Sequence, residues 1–224
     1  MALSDLMFRD NEKNRDLAIR LHQEIVLCIE RNFNTTNKVS DICNKYLNTS
    51  FEHIKMNTSD KIEENCNILN TQISSIQKCL IKMDQELKDA LEPEVYRLLC
   101  DVSVSVSEKQ LALSKHMKKI ERIGHISSVI AVTVIWPVLS VILCKTVENI
   151  NKVAACCFGA LPVTLFFGAI AILISYFAGK KEREVLDKAI KEYKEVLSHL
   201  NPNTERYQFA VMKACIKLDI PWEK

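Results

Sequence analysis

Apolar positions recur at helical spacing along nearly the whole chain, and between Gly124 and Gly179 they merge into two runs without Asp, Glu, Lys or Arg. The first run is Gly124–Cys144 and the second Val153–Gly179, parted by the polar segment Lys145–Lys152. A membrane helix needs about 20 apolar residues to cross a ~30 Å hydrocarbon core, so each run has spanning length. The pattern therefore predicts a transmembrane hairpin over 124–179, with spans at about 126–144 and 153–178 and Lys145–Lys152 as its loop. Pro137 and Pro162 fall inside the runs, where membrane helices tolerate kinks when neighbours satisfy the freed carbonyls. Ala160, Thr164 and Gly168 form a row of small residues suited to close contact between the two spans.

Outside the hairpin the spacing predicts amphipathic helices. Leu17, Leu21, Ile25, Cys28 and Ile29 line one face of a helix over about 11–33. Asn34-Thr-Thr-Asn37 reads as a break, and Val39, Ile42, Tyr46 and Leu47 start a second piece. Asn57–Asp60 reads as a turn, with Asp60 as N-cap and Glu63 completing a capping-box pattern. The sharpest seam follows: Ile62, Cys66, Leu69, Ile73, Ile76, Leu80, Met83 and Leu87 alternate spacings of four and three. That is a heptad repeat, the signature of a left-handed coiled coil, with a partner either elsewhere in this chain or in a second copy. Pro93 opens the next helix, read as continuous through Val102–Ser107 to Ile123. Beyond the hairpin, Leu186, Ala189, Tyr193, Val196 and Leu200 form another seam, Asn201–Thr204 ends it, and Tyr207, Val211, Ala214 and Leu218 outline a short last helix. The expected fold is all-α, an amphipathic or coiled-coil helical bundle with a hydrophobic transmembrane helical hairpin. Its parts are an N-terminal arm over 1–123, the hairpin over 124–179 and C-terminal amphipathic helices over 180–224.

Charge gives the hairpin an orientation. Lys115, Lys118, Lys119 and Arg122 precede it, and Lys180, Lys181 and Arg183 follow it, whereas the loop carries only Lys145 and Lys152. Basic flanks favour the cytosolic side, which places both termini in the cytosol and the loop across the membrane. The net charge of +2 with 26% charged residues gives no footprint for nucleic acid, and the basic flanks suit anionic lipid. The lipid bilayer is the expected partner, with a second copy or another helical protein as a further one. The start of the chain lacks the apolar core of a signal peptide, Ala2 stands where myristoylation needs glycine, and no prenylation box closes the sequence.

Candidate chemistry is sparse. The first 123 residues contain no glycine, so a phosphate-cradling loop has no material there. The histidines at 22, 53, 116, 125 and 199 share no metal-ligand spacing. Nine cysteines form no C-x-x-C pair, which suits reduced, packed thiols. No acidic or basic residue lies within either span, about 126–144 or 153–178, which argues against a transport or proton path. No catalytic residue, cofactor, metal or small-molecule substrate is indicated. The sequons at Asn34, Asn48 and Asn57 carry no meaning on a cytosolic arm.

One resemblance is carried by Arg20-Leu-His-Gln-Glu24, Thr36-Asn-Lys-Val39, Glu64-Asn-Cys66, Ala189-Ile-Lys-Glu-Tyr193 and, most specifically, Leu87-Lys-Asp-Ala-Leu-Glu-Pro-Glu-Val-Tyr-Arg97. On these residues the chain resembles the single-pass membrane and coiled-coil domain-containing protein family. The resemblance implies a membrane-anchored protein with a coiled coil, and brings no functional residues with it. It also implies one span where the sequence offers two runs. The expected function is a noncatalytic membrane tether, scaffold or adaptor acting through its helical arms. The alternative is a conditionally inserting, pore-former-like helical protein whose arms shield the hydrophobic hairpin.

Overall fold

The computed structural model describes residues 10–57, 62–101, 103–116, 126–159 and 180–222. The described residues contain six α-helices and no strand: α1 Asp10–Leu47, α2 Ile62–Ala90, α3 Pro93–Cys100, α4 Val106–Ser114, α5 Ile126–Gly159 and α6 Lys180–Lys217. They form two compact units, each drawing a stretch from every one of the four long helices. Unit 1 comprises Met1–Phe33, Ile54–Thr71 and Lys145–Glu205, and unit 2 comprises Asn34–His53, Gln72–Cys144 and Arg206–Lys224.

Within unit 1, α1 and α6 run parallel in a constant register. Asn14 Nδ2 donates to Asp187 Oδ1 (3.1 Å), Cys28 Sγ to Asn201 Oδ1 (3.6 Å) and Asn32 Nδ2 to Thr204 Oγ1 (2.9 Å). The α5 segment lies antiparallel to α6, with Asn203 Nδ2 donating to Thr146 Oγ1 (3.0 Å) and Asn149, Lys152 and Ala155 facing His199, Glu195 and Glu192. Ile25, Ile29, Phe33, Ile62, Leu69, Ile150, Leu186, Tyr193 and Leu200 form the apolar interior of unit 1.

Unit 2 repeats the parallel pairing: Thr36 and Tyr207 join their hydroxyls at 3.2 Å, and Tyr46 Oη donates to the Leu218 carbonyl (3.0 Å). Gln72 Nε2 reaches Ser40 Oγ (3.0 Å). The core of unit 2 consists of Val39, Ile42, Ile73, Ile76, Leu80, Leu87, Leu99, Leu113, Tyr207 and Val211, wrapped on the α5 residues Val129–Val132, Val134, Ile135, Leu139 and Leu143. The first apolar run thus supplies a core helix. By length and composition Ser127–Ala155 is also the one described helix able to cross a membrane.

Four expectations change. Lys145–Lys152 is not a loop: α5 continues through it to Gly159, with Thr146, Ile150 and Val153 buried and a Lys152–Glu148 ion pair at 2.7 Å on the outer face. The expected hairpin therefore has no turn there. Asn34–Asn37 does not break α1, because Thr35 and Thr36 turn inward and Thr36 finds Tyr207. Asn201–Thr204 does not end α6, because Asn201, Asn203 and Thr204 each meet a partner on a neighbouring helix; Pro202 is carried inside. Local turn preference is weak against a set of buried hydrogen bonds. Conversely, the helix expected through Val102–Ser107 is interrupted. Asp101 Oδ1 accepts from Ser103 N (2.8 Å) and Oγ (2.6 Å), and Ser105 with Glu108 forms a capping box that starts α4. Pro93 does open its helix as the spacing predicts.

Asparagine side chains hold the described parts of the connection after α1. Asn48 at φ 51° ends the helix in the left-handed region. The Asn44 side chain then bridges the Phe51 amide and carbonyl at 2.8 Å each. In unit 1, Asn65 clasps the Asn57 amide and carbonyl at 2.8 Å each. Asn48 and Asn57 thus have structural roles at the two ends of the connection.

Candidate functional site

The densest set of titratable groups in unit 2 forms where the chain turns at Pro93. Asp84, on α2 and 4% exposed, accepts from Tyr96 Oη at 2.6 Å and from Lys88 Nζ at 2.7 Å. Tyr96 belongs to the Leu-Glu-Pro-x-x-Tyr-Arg element, and the proline turn brings its ring back over the last turns of α2 with Lys88 5.4 Å from the ring centroid. Desolvation, then the Asp84 hydrogen bond, push the Tyr96 phenol far up, and it also bonds the Cys100 thiol. The arrangement pins α3 to α2. Its phenol and thiol stay protonated at neutral pH, so it is a structural clasp without an activated nucleophile.

Burial pushes Cys43 up to about 12 and raises Cys28, Cys79, Cys100 and Cys215. Among the described residues no group of three or more His, Cys, Asp or Glu side chains is placed to hold a metal. His22 lies 4% exposed in unit 1 against the Tyr193 ring, 6.0 Å between centroids, and its Nε2 has no hydrogen-bond partner among the described residues. Desolvation alone lowers its pKa to about 4, so the ring is neutral.

Concave surfaces also occur among the described residues. In unit 1 a groove of about 380 Å³ is lined by Asn149 and Lys152 on α5 and Glu192, Glu195 and His199 on α6. In unit 2 a groove of about 390 Å³ lies between Val134 and Val138 of α5 and Lys213, Ala214, Ile216 and Lys217 of α6. The second is the more apolar, and the charged groups among its described lining residues are Lys213 and Lys217. Nearby, Lys109 is only 1% exposed, its ammonium disfavoured first by burial and then by Lys217.

The residues singled out by spacing divide as follows. Ile62, Cys66, Leu69, Ile73, Ile76, Leu80 and Leu87 are all buried within the chain and Met83 is half-buried. The seam is therefore occupied by this chain's own helices. Of the basic residues, Lys115 is exposed at the end of α4 and Arg183 pairs at 3.8 Å with Asp187. Lys180 and Lys181 open α6, while Lys118, Lys119 and Arg122 lie outside the described residues. So do Ala160, Thr164 and Gly168, the expected contact row of the second run. Spacing did not reveal the Asp84–Tyr96 clasp, since the two lie across a proline break, nor the burial of Lys109 on a weakly amphipathic helix.

No solved structure matches the chain. A family description does match, over residues 14–153, from the first turns of α1 to late α5. The chain belongs to the family described as protein of unknown function (DUF4533).

Proposed function

We propose that this is a noncatalytic membrane-anchored helical protein, a scaffold or adaptor, attached through its second apolar run from one face of the bilayer. The observation that carries this reading is the antiparallel α5–α6 pair of unit 1. Asn203–Thr146 and the facing residues 149–155 and 192–199 hold both flanks of residues 160–179 in one compact unit. A single crossing would part α5 from α6 and sever these contacts together with Asn14–Asp187 and Asn32–Thr204. Two crossings within 160–179 leave legs of about ten residues, each reaching about 15 Å, half of the ~30 Å core. A shallow entry with both flanks on one side fits the length and keeps the bundle whole. Residues of the first run are buried in the core of unit 2, which leaves the second run as the anchoring segment; its entry from one face departs from the single crossing that the resemblance implies. Lys180, Lys181 and Arg183 beside that segment suit anionic headgroups, and both termini then face the cytosol.

The test is topology mapping in mammalian cells, using the natural sequons, an added sequon at Lys145–Lys152 and a third at the C-terminus. Membrane-bound protein with all three sites unmodified, and its release on deleting 160–179, is the expected result. Modification at the C-terminal site alone would establish a single crossing, and modification at Lys145–Lys152 alone the two-span hairpin. Either outcome overturns the one-face reading.

A second reading has its own support: α5 carries a run of spanning character, one side of which is buried within the protein. Such burial is what a conditionally inserting protein needs before its trigger. It requires a substantial soluble monomer pool, which fractionation without detergent would reveal.

A further inference from the structure

We propose that unit 2 docks on an anionic bilayer through the outer face of α5, an inference that rests on the membrane attachment proposed above and adds a second contact to it. In unit 2, α5 lies between α2 and α6. Gln77 Nε2 donates to Cys144 Sγ (3.3 Å) on one side, and on the other Val134 and Val138 share a groove with Ala214 and Ile216. Between these neighbours the surface of α5 is open, with Val141 60% exposed and Pro137 and Val138 half-buried. Ile81, one turn beyond Gln77, is 53% exposed, and Ile216 is 69% exposed with Phe209 two turns before it on the same side of α6. Large apolar side chains thus reach the surface on three adjacent helices, a grouping that marks an interaction surface. It also accounts for the composition of α5. A helix with one face in a core and the other in water carries a charged or polar stripe, whereas Ile126–Cys144 holds no charge on any side.

The border of the patch selects its occupant. Lys78 and Lys82 flank Ile81 on α2, and Arg206 and Lys213, seven residues apart, follow one edge of α6; all four are exposed. Glu86 offsets Lys82 at 3.9 Å. Lys213 Nζ stands 4.5 Å from the Phe209 ring centroid, so a cation is held against an exposed aromatic ring. An apolar centre within a basic border matches an anionic lipid surface. The aliphatic and aromatic groups enter the headgroup boundary, and the cations meet phosphate and carboxylate groups there. A second copy would instead set these cations against their own kind across a two-fold axis. The contact is shallow and its electrostatic part falls with salt, so it orients the protein and does not replace the anchor.

The full-length protein with benzoylphenylalanine in place of Val141 or Ile216 tests the proposal, and the same group in place of the exposed Lys45 on α1 is the reference. On vesicles of phosphatidylcholine and phosphatidylserine, irradiation should join phospholipid to the first two positions and not to the third. Without phosphatidylserine, or with Lys78→Glu, Arg206→Glu and Lys213→Glu combined, the yield should fall about tenfold. Lys78→Arg with Lys213→Arg should retain it, and circular dichroism checks that each variant is folded. Equal yields from neutral and anionic vesicles would overturn the proposal, as would yields unchanged by charge reversal. Adducts to protein in place of lipid would assign the face to a partner chain and reject the bilayer contact. Deleting 160–179 separates this contact from the anchor: that variant should float with phosphatidylserine vesicles at low ionic strength and come off at physiological salt. Failure to float rejects the docking face and leaves the anchor standing, whereas full membrane retention of the deletion variant at physiological salt rejects the anchor reading instead.

Discussion

His22 makes pH an input to stability. Its pKa falls from the ordinary 6.5 to about 4 because burial penalises the imidazolium and no hydrogen-bond partner of Nε2 among the described residues offsets that cost. The folded form binds the proton less readily than the unfolded chain. The contribution is therefore fully present above about 6.5 and is lost as pH falls toward 4. At 1.36 kcal/mol per pKa unit the loss approaches about 3 kcal/mol. Replacing His22 with Leu should remove this component, and urea midpoints of the two proteins between pH 7 and pH 4 should diverge in that sense. Equal slopes would show that His22 is not held neutral. Tyr96 offers a second test at this scale: Tyr96→Phe leaves Asp84, already nearly excluded from water, with Lys88 but without its 2.6 Å phenol donor. A hydrogen bond to a charged group contributes about 1.5–3 kcal/mol, so a drop of that order in thermal stability is expected, with helicity retained.

At the scale of elements, the seam of α2 behaves as a core face. Leu69, Ile73 and Ile76 are all fully buried against helices of the same chain. Truncating Ile73 to Ala should cost about 2–5 kcal/mol, measured by denaturant unfolding. Placing Asp at all three positions should unfold the protein, a result visible as lost helical dichroism. If the triple variant stayed folded and merely changed its oligomeric state, the seam would be an intermolecular coiled coil. The period of this face was legible in the sequence because buried positions on a straight helix must recur every three or four residues. Its partners were not legible, since α1 and α6 meet at a sequence separation of 173 residues at Asn14–Asp187. The two polar tetrads, Asn34–Asn37 and Asn201–Thr204, were read as breaks for the same reason. Their helix continuity rests on hydrogen bonds to distant residues, which no local window contains.

For the whole molecule, the proposed one-face attachment links membrane binding to the integrity of unit 1. With α5 and α6 antiparallel neighbours there, one-face entry of the second run is the arrangement that leaves Asn203–Thr146 and Asn14–Asp187 in place. Deleting 160–179 should accordingly release the protein from membranes while leaving its helical content and melting transition nearly unchanged. Loss of folding on that deletion would indicate that the segment belongs to a core, and retention on membranes that another surface is the anchor.

The sequence by itself determined the helical class, the α2 seam, the Pro93 start and the two apolar runs, because each depends on the spacing of apolar groups or on backbone restrictions that act locally. Of the residues that carry the resemblance, those from Arg20 to Arg97 fall within the matched region 14–153 and Ala189–Tyr193 fall outside it. Only the tertiary structure decided that the first apolar run is a core helix and that Lys145–Lys152 is helical. It alone placed α1 and α6 in parallel and brought Tyr96 to Asp84. Composition measures how apolar a helix is. Whether its apolar surface meets lipid or other side chains depends on which distant segments fold against it, and here Val129–Val132, Val134, Ile135, Leu139 and Leu143 are buried while Val141 stays exposed.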